Sequence, residues 1–279
     1  MSNSTNTTAG YAPFDLYPYN PSQPPAYAFL GLFGFAAVVH FVLMIPYRVF
    51  FPFPMVIGCA MEAGGYYFRS QSHDNVRQTL PYIIQYLLIF VAPPMLAAMI
   101  YMSPGRILHA LHAEDCSIFS PRWQAKLFVL IDMFCFATQF AGTIMSDSDT
   151  GPTLLLAGLI VQVAAFALFI VALLVSHKRL NNRQYELSRA APDVHWRRYY
   201  GGLYCVSGLF LIRNFIRIIE QNQGDDGAIY TTEAYLYIFD AVFMFAAVVV
   251  MIVLHPGKLV RNAVRAAKAA DLENELAMK

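Results

Sequence analysis

Two arginines and a glutamate stand in "LIRNFIRIIEQ", residues 211–221, at the end of a strongly apolar run. On a helix turning about 100° per residue, Arg213, Arg217 and Glu220 fall within one narrow arc. An arginine facing acyl chains costs about 2.5–3.5 kcal/mol on insertion scales. The arc must therefore face protein and hold partners. Arg213 lies seven residues below Glu220, and Asp240 in "YIFDAVF" lies seven residues into the next apolar run from Glu233. Equal depth predicts an ion pair between Arg213 and Asp240 on neighbouring helices. The same i, i+4, i+7 spacing recurs as Glu62, Tyr66, Arg69 and as Asp132, Phe136, Gln139, while His40 and Gln85 add polar groups to two further runs. Carboxylates can take a cationic head group or a proton, and guanidiniums can take an anion. The set predicts a polar cavity inside a helical bundle, open toward one membrane face. Interhelical hydrogen bonds average only about 0.6 kcal/mol, so ionised groups are an expensive way to fix packing. His40 alone, and Gln162, read more simply as helix-to-helix contacts.

The elements that must carry these residues are membrane helices. Of 279 residues, 57% are hydrophobic and 13% charged, where a soluble domain is about a quarter charged. Seven runs approach the roughly 20 apolar residues a spanning helix needs: 26–46, 51–69, 80–102, 125–145, 153–175, 199–219 and 234–254. The second, "FPFPMVIGCAMEAGGYYF", is the weakest, with two prolines and Glu62. Pro93 and Pro94 predict a kink in the third. The first run follows 25 mostly polar residues with no basic stretch, unlike a cleavable signal. The expected fold is all-α: a polytopic seven-transmembrane bundle over 26–254, a polar head over 1–25 and a basic tail over 255–279.

Charge sets the direction. Fifteen of the nineteen Lys and Arg residues fall after spans one, three, five and seven. Basic segments stay cytoplasmic, which places the N-terminus outside and the C-terminus inside. Asn3 in "NST" and Asn6 in "NTT" are acceptor sequons for outer-side glycosylation. The basic loop 176–198 and the tail, with Arg261, Arg265 and Lys268 on one helical face, could meet a cytosolic partner or an anionic leaflet. A net charge of +1 gives no attraction to nucleic acid. Four cysteines form no metal spacing and predict no disulfide, and His109 with His112 make a poor metal pair. Phosphate-loop, HExxH and GxSxG patterns are absent, and the seventh run has no lysine for a Schiff base. The expectation is a protein that is not an enzyme and needs no cofactor or metal.

Ordered motifs along residues 19–258 resemble the fungal lipid-translocating exporter family, the RTA-like proteins named for resistance to aminocholesterol. They are "YNPS", "HFVLMIPYR" with His40 and Arg48, "EAGGYYFR" with Glu62 and Arg69, "YIIQYLLIFVAPPMLAAMIY" with Gln85, "FVLIDMFCFATQFAG" with Asp132 and Gln139, "RNFIRIIE", "EAYLYIFD" and "LHPG". The fourth run has "FATQFAG" where the family has a glycine-rich turn. The resemblance implies a fungal integral membrane protein, at the plasma membrane first and an internal membrane second. It implies translocation of amphipathic lipids such as sphingoid long-chain bases or sterol analogues, with drug resistance as a phenotype. Glu62, Asp132 and Asp240 would accept an ammonium head. Two other functions fit the residues. A seven-helix receptor or regulator would use the buried set as a switch. A porphyrin or haem transporter would pair Arg69, Arg213 and Arg217 with propionates and use His40 as a ligand.

Overall fold

The computed structural model describes residues 10–118, 120–145, 148, 150–183, 195–224 and 227–265. The sequons at Asn3 and Asn6 and the tail lysine Lys268 lie outside them. Among the described residues the chain is helical, with one isolated antiparallel bridge between Tyr11 and Gln78. The helices are α1 (Gln23–Tyr47), α2 (Phe53–Gln71), α3 (Thr79–Ala110), α4 (Pro121–Ile144), α5 (Thr150–Asn182) and α6 (Trp196–Gln223). Next come α7, built from Glu233–Tyr235, Leu236–Val242 and Phe243–Val253, and α8 over 256–265.

Six helical stretches are long and apolar enough to cross a membrane: α1, α3, α4, α5, α6 and the α7–α8 run. With 19 residues, α2 is about 28 Å long at 1.5 Å per residue. Its mean hydropathy is pulled down by Glu62, Arg69 and Ser70, all of which it buries, while Phe53, Ile57 and Tyr67 point outward. The helices begin where the chemistry favours a start. Pro24 and Pro25 open α1 and Pro121 opens α4, at first-turn positions where a missing N–H costs nothing. Arg48 caps α1 in the left-handed region at φ 54°. Several helices outrun the apolar windows: α3 continues to Ala110, and α5 to Asn182. Hydropathy marks only the lipid-immersed stretch, whereas the hydrogen-bonded ladder carries on through polar ends. Pro93 and Pro94 sit buried within α3, which stays one helix across them.

Consecutive helices pack on each other, α1 closes on α7, and α3 touches α6 across the middle. The ring is thereby divided into two lobes. Apolar side chains such as Phe35, Phe41, Ile45, Leu130, Phe134 and Leu168 face outward, as lipid requires. The two ends differ in charge. At one end, Ser22, the α2–α3 connection and Glu233 meet. The other end gathers Arg48, Arg106, Lys126, Arg179 and Arg261, tied by Arg261 to the Pro46 carbonyl (2.5 Å) and Arg179 to the Ser117 carbonyl (3.0 Å).

Candidate functional site

The charged arc of α6 meets α7. The Arg213 Nε donates to Asp240 Oδ1 at 2.5 Å, and Arg217 Nη2 donates to Asp240 Oδ2 at 2.5 Å. One carboxylate is thus clamped by two guanidiniums, each taking one oxygen. Arg217 also donates to Glu220 Oε2 at 3.1 Å, one turn further on. Asp240 sits in Leu236–Val242, a π-helical stretch. Such a stretch inserts extra backbone into the turn and is frequent at functional sites. It sets the aim of the Asp240 side chain relative to the residues before it.

Glu62 of α2 is fully buried, and neither of its oxygens has a hydrogen-bond partner. Asp240, Arg213 and Arg217 all lie within electrostatic range of it. Arg213 Nη2 is likewise a buried donor without a partner, as are the acceptor Gln85 Oε1 and the hydroxyl of Tyr66. Among the described residues the clamp therefore pairs its own charges, Arg213 and Arg217 against Asp240 and Glu220, and leaves Glu62 as a surplus acid.

Arg69, at the rim above Glu62, is sealed rather than open. It donates to Glu233 Oε1 at 2.8 Å, to Tyr237 at 3.1 Å and to Tyr19 at 3.1 Å, with the Tyr17, Tyr19 and Tyr237 rings 5.5–5.9 Å away. Glu233 in turn accepts from the Ser22 amide at 2.9 Å. Residues 16–19 lie across this end of the bundle. Burial pushes the Tyr17 hydroxyl up to about 12, so it stays a neutral donor to Ser72 Oγ at 2.9 Å. Beneath these residues opens a cleft of about 100 Å³, lined by Tyr17, Tyr19, Arg69, Gln85, Tyr86, Arg217 and Glu220 among others. A narrower one of about 20 Å³ runs along the Arg213, Arg217 and Asp240 clamp.

The other expected members lie elsewhere. Asp132 accepts from Tyr101 at 2.7 Å, and Gln139 donates to Gln162 at 3.0 Å, in the α3–α4–α5 lobe beyond the α3–α6 contact. His40 lies against His255, ring centroids 5.9 Å apart, with Tyr47 stacked on His255. Neither His40 nitrogen completes a hydrogen bond, although the Val248 backbone faces it. The single cavity expected from helical spacing is thus three sites: the clamp with Glu62, the Asp132–Tyr101 pair, and a histidine pair. Spacing along one helix gives a face and a depth but not which neighbour the face meets. Sequence reasoning passed over Tyr17, Tyr19, Tyr237, Glu233 and His255 as site residues. "YNPS", "EAYLYIFD" and "LHPG" were the available signals.

Residues 55–263 match the family described as RTA1 like protein. The chain belongs to the RTA1-like family. That match takes in the clamp, Glu62, Arg69, Tyr237 and His255, while His40, Tyr17 and Tyr19 precede it. The RTA1-like chain is 39% identical to Protoporphyrin uptake protein 1 of Saccharomyces cerevisiae, over 74% of this chain and 69% of that one. It is 35% identical to Protein RTM1 of the same organism over 72% of this chain, and spans 65% of RTM1's length. Similarity to the Sphingoid long-chain base transporter RSB1 of Saccharomyces cerevisiae is 23% identity, over 92% of this chain and 80% of RSB1. No solved structure matches the chain.

Proposed function

We propose that this protein is a membrane transporter of amphipathic lipid-like molecules, and that its preferred cargo carries a cationic amino-alcohol head, as a sphingoid long-chain base does. The observation that carries the reading is Glu62. A buried carboxyl without a hydrogen bond is costly, and nothing around it is organised by it. Arg213, Arg217, Asp240 and Glu220 already balance one another, so an ionised Glu62 leaves room for one positive charge. An ammonium group would donate to Glu62, and a neighbouring hydroxyl would accept from Arg213 Nη2. The outer cleft, walled by aromatic rings and the Arg217–Glu220 pair, supplies an entry for head and tail. RSB1, named as a long-chain base transporter, supports the cargo class.

Protoporphyrin is the second cargo, supported by the name of the relative at 39% identity and by Arg217 in the cleft lining. Haem ligation by His40 finds no support, because His40 packs on His255 away from that cleft. In the membrane, α2 is proposed as the seventh span, its polar face inward and Phe53, Ile57 and Tyr67 toward lipid. The basic end would be cytoplasmic and the Ser22–Glu233 end outside, giving a polar head over 1–25, the bundle over 26–254 and an inner tail over 255–279. Plasma membrane residence and glycosylation at Asn3 and Asn6 belong to the same proposal.

Purified protein in liposomes, assayed with a fluorescent long-chain base and in parallel with protoporphyrin, tests the reading. Faster movement of the base than in empty vesicles, lost in Glu62→Gln, is expected. Movement of porphyrin alone would replace the cargo, and movement of neither would end the transport reading.

A further inference from the structure

A cleft of about 650 Å³ opens at the opposite, basic end of the bundle, between α2, α3 and α4. Its inner wall is apolar, with Ala98, Met102 and Val129, and its rim carries Arg106 and Lys126. Arg106 sits about 6 Å beyond Met102 along α3 at 1.5 Å per residue, at the level where a head group would meet the acyl region. Neither cation has an anionic partner among the described residues. Each instead rests on an aromatic ring, Arg106 over Phe51 at 5.7 Å and Lys126 over Trp123 at 5.3 Å. The start of α4 opens onto the same rim at Ser120, whose side chain makes no cap. A 24-residue helix adds partial positive charge there. The one acid at the mouth, Glu114, is engaged by His109.

We propose that this cleft is a binding site for an anionic phospholipid of the adjoining leaflet, with the phosphate head between Arg106 and Lys126 and one acyl chain along the Ala98, Met102 and Val129 wall. Two cations with no anionic partner among the described residues select against a cationic cargo such as a long-chain base, so the site is separate from the transport cluster near Glu62. A free anion would gain nothing from the apolar wall, whereas a lipid uses both halves. Basic pockets between helices on the cytoplasmic side are the general form of such sites, with each charge near the surface worth roughly a fivefold change in affinity.

Trp123 is a reporter already in place. It is 71% exposed beside Lys126, whereas Trp196 is 6% exposed, and the chain has 2 tryptophans. The full-length protein is placed in phosphatidylcholine nanodiscs containing phosphatidylserine or phosphatidylcholine with brominated chains, and quenching is taken as the ratio to the unbrominated lipid. Several-fold preferential quenching by the serine lipid is expected. It should fall about fivefold in Arg106→Gln and again on adding Lys126→Gln, and stay unchanged in Arg198→Gln/Lys258→Gln, which alters basic residues outside the cleft. Equal quenching by the two lipids would overturn the proposal. So would loss of preference in the Arg198/Lys258 control, which would mean a diffuse surface effect, or displacement by inorganic phosphate, which would mean a free-anion site. Where a cleft variant folds poorly, native mass spectrometry of lipids retained by the wild-type protein gives the same decision.

Discussion

Glu62 and Asp240 are both buried acids, yet they are held differently. Each Asp240 oxygen is bonded to a guanidinium, so Asp240→Ala strands the buried Arg213, leaves Arg217 with Glu220 alone and should cost about 3–5 kcal/mol, as breaking other buried pairs does. Glu62 bonds to nothing. Glu62→Gln therefore removes a desolvated acid without removing a contact, and thermal unfolding in detergent should show an unchanged or higher Tm. A drop in Tm comparable to that of Asp240→Ala would mean that Glu62 is part of the packing. Asp132 is held at one oxygen only, Oδ2 by Tyr101, while Oδ1 is buried without a partner: Tyr101→Phe leaves Asp132 without its 2.7 Å donor and should cost about 1–3 kcal/mol, with transport of the long-chain base retained. The Arg213–Asp240 contact could be read from the sequence because depth along two adjacent antiparallel helices is countable. Arg69's partners could not, because Tyr17 and Tyr19 arrive from a loop whose path no periodicity describes.

At the scale of the element, the α4–α5 contact is set by glycine. A Cβ on Gly142 of α4 would meet backbone atoms of α5, Gly151 O and Leu155 N, at 2.7 Å, and one on Gly158 would meet Thr138 Oγ1 at 2.5 Å. The backbones of α4 and α5 thus touch as small-residue pairs allow in membranes. Gly142→Ala should destabilise by about 1–3 kcal/mol, whereas Gly201→Ala, with nothing within 4 Å of its Cβ, should be neutral or slightly stabilising. Equal effects from the two, measured by thermal unfolding, would contradict the close α4–α5 packing. The π-helical stretch of α7 is the second device. Removing Ile238 would restore α-helical register and rotate Glu233 and Tyr237 relative to Asp240 by about 100°. The pairings of Arg69 and of the clamp would no longer coexist, and transport should be lost. Neither device was legible in advance: hydropathy showed where helices run, but a π turn and a close approach of glycines depend on the neighbouring helix.

For the whole molecule, the arrangement is a ring of helices with lipid-facing aliphatic and aromatic residues outside and three polar sites within. Its all-α membrane character followed from apolar run length alone. The count differs from the seven expected runs: six stretches are long and apolar enough to cross, and α2 falls short of them because its polar residues, buried on the interior, lower its hydropathy. An impermeant maleimide on intact cells should label Asp74→Cys, in the α2–α3 connection, and not His112→Cys, in the α3–α4 connection. Labelling of His112→Cys alone would invert the proposed orientation. A mobility shift on endoglycosidase treatment, absent in Asn3→Gln/Asn6→Gln, would place the N-terminus on the same side as Asp74, as α1 and α2 both spanning requires. The anionic lipid cleft and the cargo cluster then lie at opposite ends, with opposite charge preference.

Equilibrium binding of a labelled sphingoid long-chain base to the purified protein in nanodiscs, wild type against Glu62→Gln, tests the role given to that surplus acid most directly. At least a tenfold weakening is predicted, about 1.4 kcal/mol or more for loss of one charge-assisted contact, in a variant whose Tm has not fallen. Equal affinity of the two proteins would contradict it.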